Sequence, residues 1–386
     1  MTTAPLEALP LETLRRRSST KWRTYGPDVL PMFVAETDFA LAEPITRALA
    51  TAVELGDTGY TPPDLGLRAA FTTFAQRRFG WDVDATRVRS TGDVMMGVVE
   101  IIRAVTAPGD PVVITPPVYP PFAMSVEEAG CRVASVPLRD TGAAWELDLD
   151  GIEAALAAGA RAVLLCNPHN PTGTVHDRAT LAALAEIAAR HGAAVISDEI
   201  HAPLAGDGVV FTPFLAASPT AAAIGYTVTS PSKAFNLAGL KCAVMVTADD
   251  RTTAVVRGLA SEVEWRTGLF GAIASIAAFD AASDEWLDAL RARLELNGRL
   301  LAELLAEKLP RARYRVPQAG YLAWIDVSAY GWGADPAVRV LEGAKVALHH
   351  GPLFGTEGVG HVRLNFGCSP DTLVEAVDRI GRLADG

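Results

Sequence analysis

A chain of 386 residues, 49% of them hydrophobic, is long enough for two lobes and too apolar for disorder. A formal net charge of −11 without a long basic run argues against nucleic acid as a partner and reads as solubility. Cys131, Cys166, Cys242 and Cys368 are scattered with no C-x-x-C pair, so neither a disulfide framework nor a metal site is expected.

In chain order, "MTTAPLEALPLETLRRR" lacks a basic segment followed by an apolar one, and no secretory signal is expected. No apolar stretch reaches the ~18 residues that span a bilayer. A cytoplasmic protein with no membrane contact is the expectation. "STGDVMMGVVEIIRAV" runs from a small-residue turn into a helix over 94–106. Apolar runs at 111–115, 132–138, 161–167, 193–199, 221–228 and 242–248 read as strands, continuous rather than alternating, as in a sheet buried on both faces. Helices are predicted between them at 119–129, 179–191 and 253–261, the second closed by Gly192. Strand alternating with helix implies an α/β fold with a mostly parallel sheet. Residues 284–309 form one amphipathic helix, ended by Pro310. "YLAWIDVS", "VALHHG" and "HVRLNFG" then suggest a second, smaller sheet. The expected division is a large domain over 40–285 and a small one combining 1–39 with 286–386.

In open α/β sheets, ligands bind beyond the carboxyl ends of the strands, so the residues following each strand carry the functional reading. "AAVIS" is followed by Asp198 in "DEIH", a carboxylate at a buried strand end that calls for a cationic partner or a capping role. "RAVLLCN" is followed by "PHNPTG", a rigid turn presenting a side-chain amide. The backbone N–H groups of Asp93, Val94 and Met95 open a helix and are placed to cradle a phosphate. Lys233 lies in "TVTSPSKAFNLAGLKCA" between two apolar runs, flanked by the hydroxyls of Ser230 and Ser232. A lysine beside a strand is commonly a surface charge. Together with an aspartate for a ring nitrogen and a phosphate cradle, it meets the requirements of pyridoxal 5'-phosphate.

"SPSKAFNLAGLK", "NPHNPTG", "SDEIH" and "TPPVYPPF" resemble, in order and spacing, the aminotransferase-like fold type I pyridoxal-phosphate enzymes. "VLPMFVAETDF", "GDTGYTPP", "SDEIHAPL" and "HVRLNFGCSP" are similar to their cystathionine β-lyase branch, the C–S lyases related to MalY and PatB. The resemblance implies a seven-stranded sheet flanked by helices and a smaller α+β domain. It also implies roles. Lys233 would carry the cofactor and shuttle the Cα proton. Asp198 would pair with the pyridinium nitrogen, Asn170 and His201 would meet the phenolic oxygen, and Tyr119 would stack on the ring. Ser230 would bind the phosphate. Lys241 stands where many relatives carry a phosphate-binding arginine, and it could act there only as a point charge. Tyr60 would reach the phosphate of a neighbouring subunit, making a homodimer. Arg363 would clamp the carboxylate of an amino-acid substrate, and Glu36 replaces the aspartate usual in the branch near that substrate.

The implied reaction is α,β-elimination from L-cystathionine or another cysteine S-conjugate, giving a thiol, pyruvate and ammonia. Transamination is the alternative that the common motifs leave open. A regulatory cofactor-binding domain is disfavoured by the short segment ahead of Lys21 and by Lys233 and Arg363 occurring together. A nicotinamide dehydrogenase is disfavoured by the lack of a Gly-rich strand-to-helix fingerprint.

Overall fold

The computed structural model describes residues 4–384. A seven-stranded sheet runs through the large domain. Its spatial order is Val88–Thr91, Ala243–Val246, Gly225–Thr229, Ala194–Asp198, Ala162–Cys166, Pro111–Ile114 and Arg132–Ser135. The last five are parallel. Ala243–Val246 runs antiparallel to both neighbours. The apolar runs are continuous because alternate residues enter different cores. Val112, Leu164 and Ile196 pack with Val98 and Ile101 of the helix Val94–Val105, whereas Val113, Val163 and Val195 pack with Leu181 and Leu184 of the helix Arg178–Arg190.

Three expectations change. The run 221–228 is not all strand. Ser218 accepts a hydrogen bond from the Ala221 N–H, Pro219 opens the first turn, and Pro219–Ile224 winds into a helix before the strand begins at Gly225. The helix placed at 253–261 is Asp250–Arg257, shifted forward because Asp249 caps it at the Arg251 N–H. The strand Val88–Thr91 had no apolar run to announce it. Its Arg89 survives burial by donating to the carbonyls of Val256, Leu259 and Ala260.

The long helix is Asp284–Lys308. It leads to a four-stranded antiparallel sheet ordered Arg313–Tyr314, Leu322–Asp326, His361–Asn365 and His349–His350. Within "VALHHG", Val346–Ala347 pairs instead with Leu30–Pro31, in parallel. This separate two-stranded pairing ties the N-terminal segment to the C-terminal part of the chain and supports our proposal of a two-domain division near residues 40 and 285. No helix among the described residues is long and apolar enough to cross a membrane.

Candidate active site

At the carboxyl ends of the parallel strands a cleft of about 870 Å³, open mouth included, gathers most of the predicted residues. Asp93, Val94, Met95, Tyr119, Asn170, Asp198, His201, Ser230, Lys233 and Lys241 all line it. They come from separate loops, each launched by a strand of the same sheet, so the sheet sets their spacing.

Lys233 lies in the connection between the antiparallel neighbours Gly225–Thr229 and Ala243–Val246. Its Nζ donates to the Ala35 carbonyl at 3.3 Å. Burial, followed by repulsion from Arg363, lowers its pKa from 10.5 to about 8. Asp198 ends its strand in register with Cys166 and is 4% exposed. Its Oδ1 accepts from the Ile200 N–H at 3.1 Å. Desolvation raises its pKa to about 7, against the opposing pull of that hydrogen bond and of Lys233. His201 is also buried, with its ring edge-on to Tyr321 at 6.3 Å between centroids. Desolvation and the Lys233 and Arg363 charges lower its pKa to about 3, so the imidazole is neutral at pH 7. Tyr119 is half-buried against Phe122, and burial raises its phenol pKa.

Asn170 sits in the turn after Ala162–Cys166, where its Oδ1 accepts from Arg363 Nη1 at 3.1 Å. Arg363 is 2% exposed. Nη2 donates to the Phe33 carbonyl at 2.8 Å, the guanidinium lies 5.1 Å from the Phe354 ring centroid, and Nε has no partner among the described residues. Desolvation lowers its pKa to about 10, so it remains a cation at pH 7. Glu36, expected near the substrate, turns towards the N-terminal segment and accepts from the Ser19 hydroxyl at 2.6 Å.

At the opposite end of the cleft, Asp93 caps the helix Val94–Val105 by accepting from the Met96 N–H. Lys241 Nζ lies 3.0 Å from the second Asp93 carboxylate oxygen. The main-chain N–H groups of Val94 and Met95 open the helix and face the anion-binding end of its dipole. Ser230 is less available than the motif suggests, because its hydroxyl donates to the Cys242 carbonyl at 2.7 Å and accepts from the Ser232 N–H. Ser232 lines the cleft as well. Tyr60 lies outside this cleft. It is 90% exposed, with its ring edge-on to the half-exposed Trp265.

Motif reading missed Ala35, Tyr321, Asn236 and Asn365. Tyr321 OH donates to the Ala35 carbonyl at 3.1 Å, Asn365 donates to the Glu36 carbonyl at 2.7 Å, and Asn236 brackets Thr37 by bonding both its N–H and its carbonyl. Asn365 stands in the quoted "HVRLNFG" and Asn236, three residues after Lys233, in the quoted "SPSKAFNLAGLK". Nothing in their local pattern revealed that they serve the backbone of residues 33–37.

Fold and cleft together define a class: an α/β scaffold whose sheet edge presents a deacidified carboxylate, a weakened lysine and an anion-receptive helix terminus to one small molecule. The chain belongs to the aminotransferase class I and II family, whose model matches residues 38–380. It is 37% identical over 373 residues to the cystathionine beta-lyase PatB of Bacillus subtilis (strain 168), covering 94% of this chain and 95% of that protein. The solved structure of a Corynebacterium diphtheriae protein superimposes with a TM-score of 0.94 at 34% identity, covering 99% of each chain. The PLP-bound C–S lyase of Staphylococcus hominis superimposes with a TM-score of 0.87 at 26% identity, covering 93% of this chain and 90% of that one.

Proposed function

We propose that this chain is a pyridoxal 5'-phosphate-dependent carbon–sulfur β-lyase that cleaves L-cystathionine or related cysteine S-conjugates to a thiol, pyruvate and ammonia. The observation that carries the reading is Asp198. A carboxylate at 4% exposure is costly unless an ion or a donor meets it, and its recorded hydrogen bond is one main-chain N–H. A protonated ring nitrogen is the partner it lacks. The other residues fit the same group. The N–H groups of Val94 and Met95, the Ser232 hydroxyl and the Lys241 ammonium suit a phosphate, and Lys233 suits an aldehyde.

When bound, the cofactor supplies an aldehyde for amines and a ring that draws electrons from the substrate Cα. The chain's own residues do the rest. Arg363 holds the substrate carboxylate as a fork, oriented by its bonds to Asn170 and Phe33. Asp198, kept anionic by a cationic partner, holds the ring nitrogen protonated. Lys233 takes the Cα proton at Nζ, and a pKa near 8 leaves part of it as free amine at neutral pH. Neutral His201 adds no charge to compete with these ions.

Tyr60 supports a homodimer. An aromatic hydroxyl this exposed, braced by Trp265, fits the reading in which it contacts the phosphate held by a second copy. The test is pyruvate formation from L-cystathionine and a panel of cysteine S-conjugates, with no oxo acid added. The lyase reading expects stoichiometric thiol and pyruvate. An absolute requirement for an oxo-acid acceptor overturns it in favour of transamination, the alternative that the common motifs leave open.

A further inference from the structure

The segment 33–38 is an irregular strap that lines the cleft at Ala35, and its Asp38 side chain pairs with Lys21. Its carbonyls do more, because five in succession accept from side chains. Phe33 O accepts from Arg363 and Val34 O from Asn365. Ala35 O accepts from Lys233 and from Tyr321. Glu36 O accepts from Lys21 at 3.2 Å and again from Asn365, and Thr37 O accepts from Asn236 at 3.1 Å. The strap therefore touches both the reacting amine and the substrate-clamping guanidinium. What fixes the strap is a buried ion pair. Lys21 Nζ lies 2.6 Å from Asp38 Oδ1, the two side chains being 1% and 2% exposed.

Two charges at that depth carry a desolvation cost that their mutual attraction barely offsets, so the pair is a poor way to gain stability. It is a good way to fix a position. The Lys21 ammonium has three donors, and it uses one on Asp38 and another on the Glu36 carbonyl. That second bond sits one residue from Ala35 O and three from Phe33 O.

We propose that Lys21, paired with Asp38, is a positioning residue for the reaction: it locks the 33–38 strap so that the Ala35 carbonyl receives the Lys233 amine whenever that amine is released, while the Phe33 carbonyl orients Arg363. The proposal rests on the pyridoxal-phosphate reading. Among the described residues the Ala35 carbonyl is the neutral acceptor that Lys233 Nζ meets, at an amine otherwise faced by Arg363 and Lys241 of like charge, by Glu36 and Asp198 of opposite charge, and by neutral His201.

The test uses the Lys21→Met, Asp38→Asn double variant, which removes the bond to Glu36 O without leaving a lone buried charge. Cofactor capture by the cofactor-free protein is followed by visible absorbance against pH, alongside kcat, KM and thermal unfolding. A carbonyl acceptor supports the ammonium form, so losing it moves the capture midpoint below the wild-type value. General loosening would rehydrate Lys233 and move the midpoint up, towards 10.5. The expected result is a downward midpoint and a kcat lower by about tenfold or more, the scale of a misplaced reacting group. A folded double variant with a wild-type or raised midpoint and wild-type kcat overturns the proposal. Should the double variant fail to unfold cooperatively, Lys21→Arg keeps a cation beside Asp38 and displaces the bond to the Glu36 carbonyl. It is expected to shift the midpoint in the same direction, and an unmoved midpoint overturns the proposal equally. A wild-type protein that captures no cofactor defeats the cofactor reading instead, so the two failures are distinguishable.

Discussion

Two regions meet at this cleft and are specified in different ways. Along the carboxyl edge of the large sheet, the proposed chemistry resides in side chains: Asn170 and Lys233 follow strands and Asp198 ends one. Across the strap at 33–38, chemistry resides in backbone carbonyls, and the side chains that hold it are Asp38 within it and Lys21, Asn236 and Asn365, which lie 15, 199 and 329 residues from the carbonyls they meet. Substitution at the edge should therefore abolish or redirect the reaction. Substitution around the strap should detune it while the protein stays folded.

The largest expected effect is at the edge. Lys233→Ala should lower the elimination rate by at least about 10²- to 10⁴-fold, the usual contribution of a positioned base. Borohydride reduction of the wild-type holoenzyme should fix cofactor mass on the peptide containing Lys233, and none should appear in the variant. Activity surviving in Lys233→Ala would erase the distinction between the two regions. Arg363→Lys comes next and tests where they join, since Nη1 reaches Asn170 on the edge and Nη2 reaches Phe33 on the strap. A lysine cannot make both bonds and the substrate fork. Loss of one charge-assisted hydrogen bond, about 1.5–3 kcal/mol, predicts KM higher by about 10- to 100-fold with a smaller change in kcat. Equal KM values would make Arg363 a structural residue.

The same contrast explains what the sequence made legible. The parallel sheet was readable because both of its faces are buried, which produces uninterrupted apolar runs such as Ala162–Cys166. The strand Val88–Thr91 escaped because it is short and carries a buried arginine whose partners lie more than a hundred residues away. Edge residues were readable because residue type and order are themselves the signal. Ser230 shows the limit of that signal: the motif promised a phosphate ligand, and the fold commits its hydroxyl to Cys242. The strap was opaque for a physical reason. A carbonyl is common to every residue, so its use leaves no mark on the residue that bears it, and Glu36 drew attention for a side chain that points to Ser19.

Asp198→Asn sharpens the edge side through pH. In the cofactor-free protein, folded Asp198 keeps its proton up to about pH 7, whereas the unfolded chain loses it near 3.8. Between those values the folded state binds more protons, so this group's contribution to stability falls as pH rises. Asparagine removes that slope. Urea unfolding of cofactor-free protein at several pH values should show the variant gaining on wild type as pH increases from about 4 to 7. With cofactor bound the order should reverse, because wild-type Asp198 then has its ring partner and asparagine does not. A variant that tracks wild type at every pH would mean that Asp198 is already ionised and paired by something else.

The smallest effect is expected at Lys241, where the edge meets solvent. Its side chain is 61% exposed, and its pair with Asp93 spans 3.0 Å in a screened setting. Such pairs contribute about 0–1 kcal/mol to folding, so Lys241→Ala should leave the unfolding midpoint almost unmoved. Cofactor affinity is a separate matter. Asp93 competes with a phosphate for the same ammonium and the same helix terminus, and a dianion in the cradle would outbid a single carboxylate at low ionic strength. Lys241→Ala should therefore weaken pyridoxal phosphate binding by severalfold at low salt and by less at high salt, while pyridoxal without its phosphate binds both proteins alike. If pyridoxal loses as much as its phosphate ester does, Lys241 acts by holding Asp93 in place rather than by meeting the phosphate.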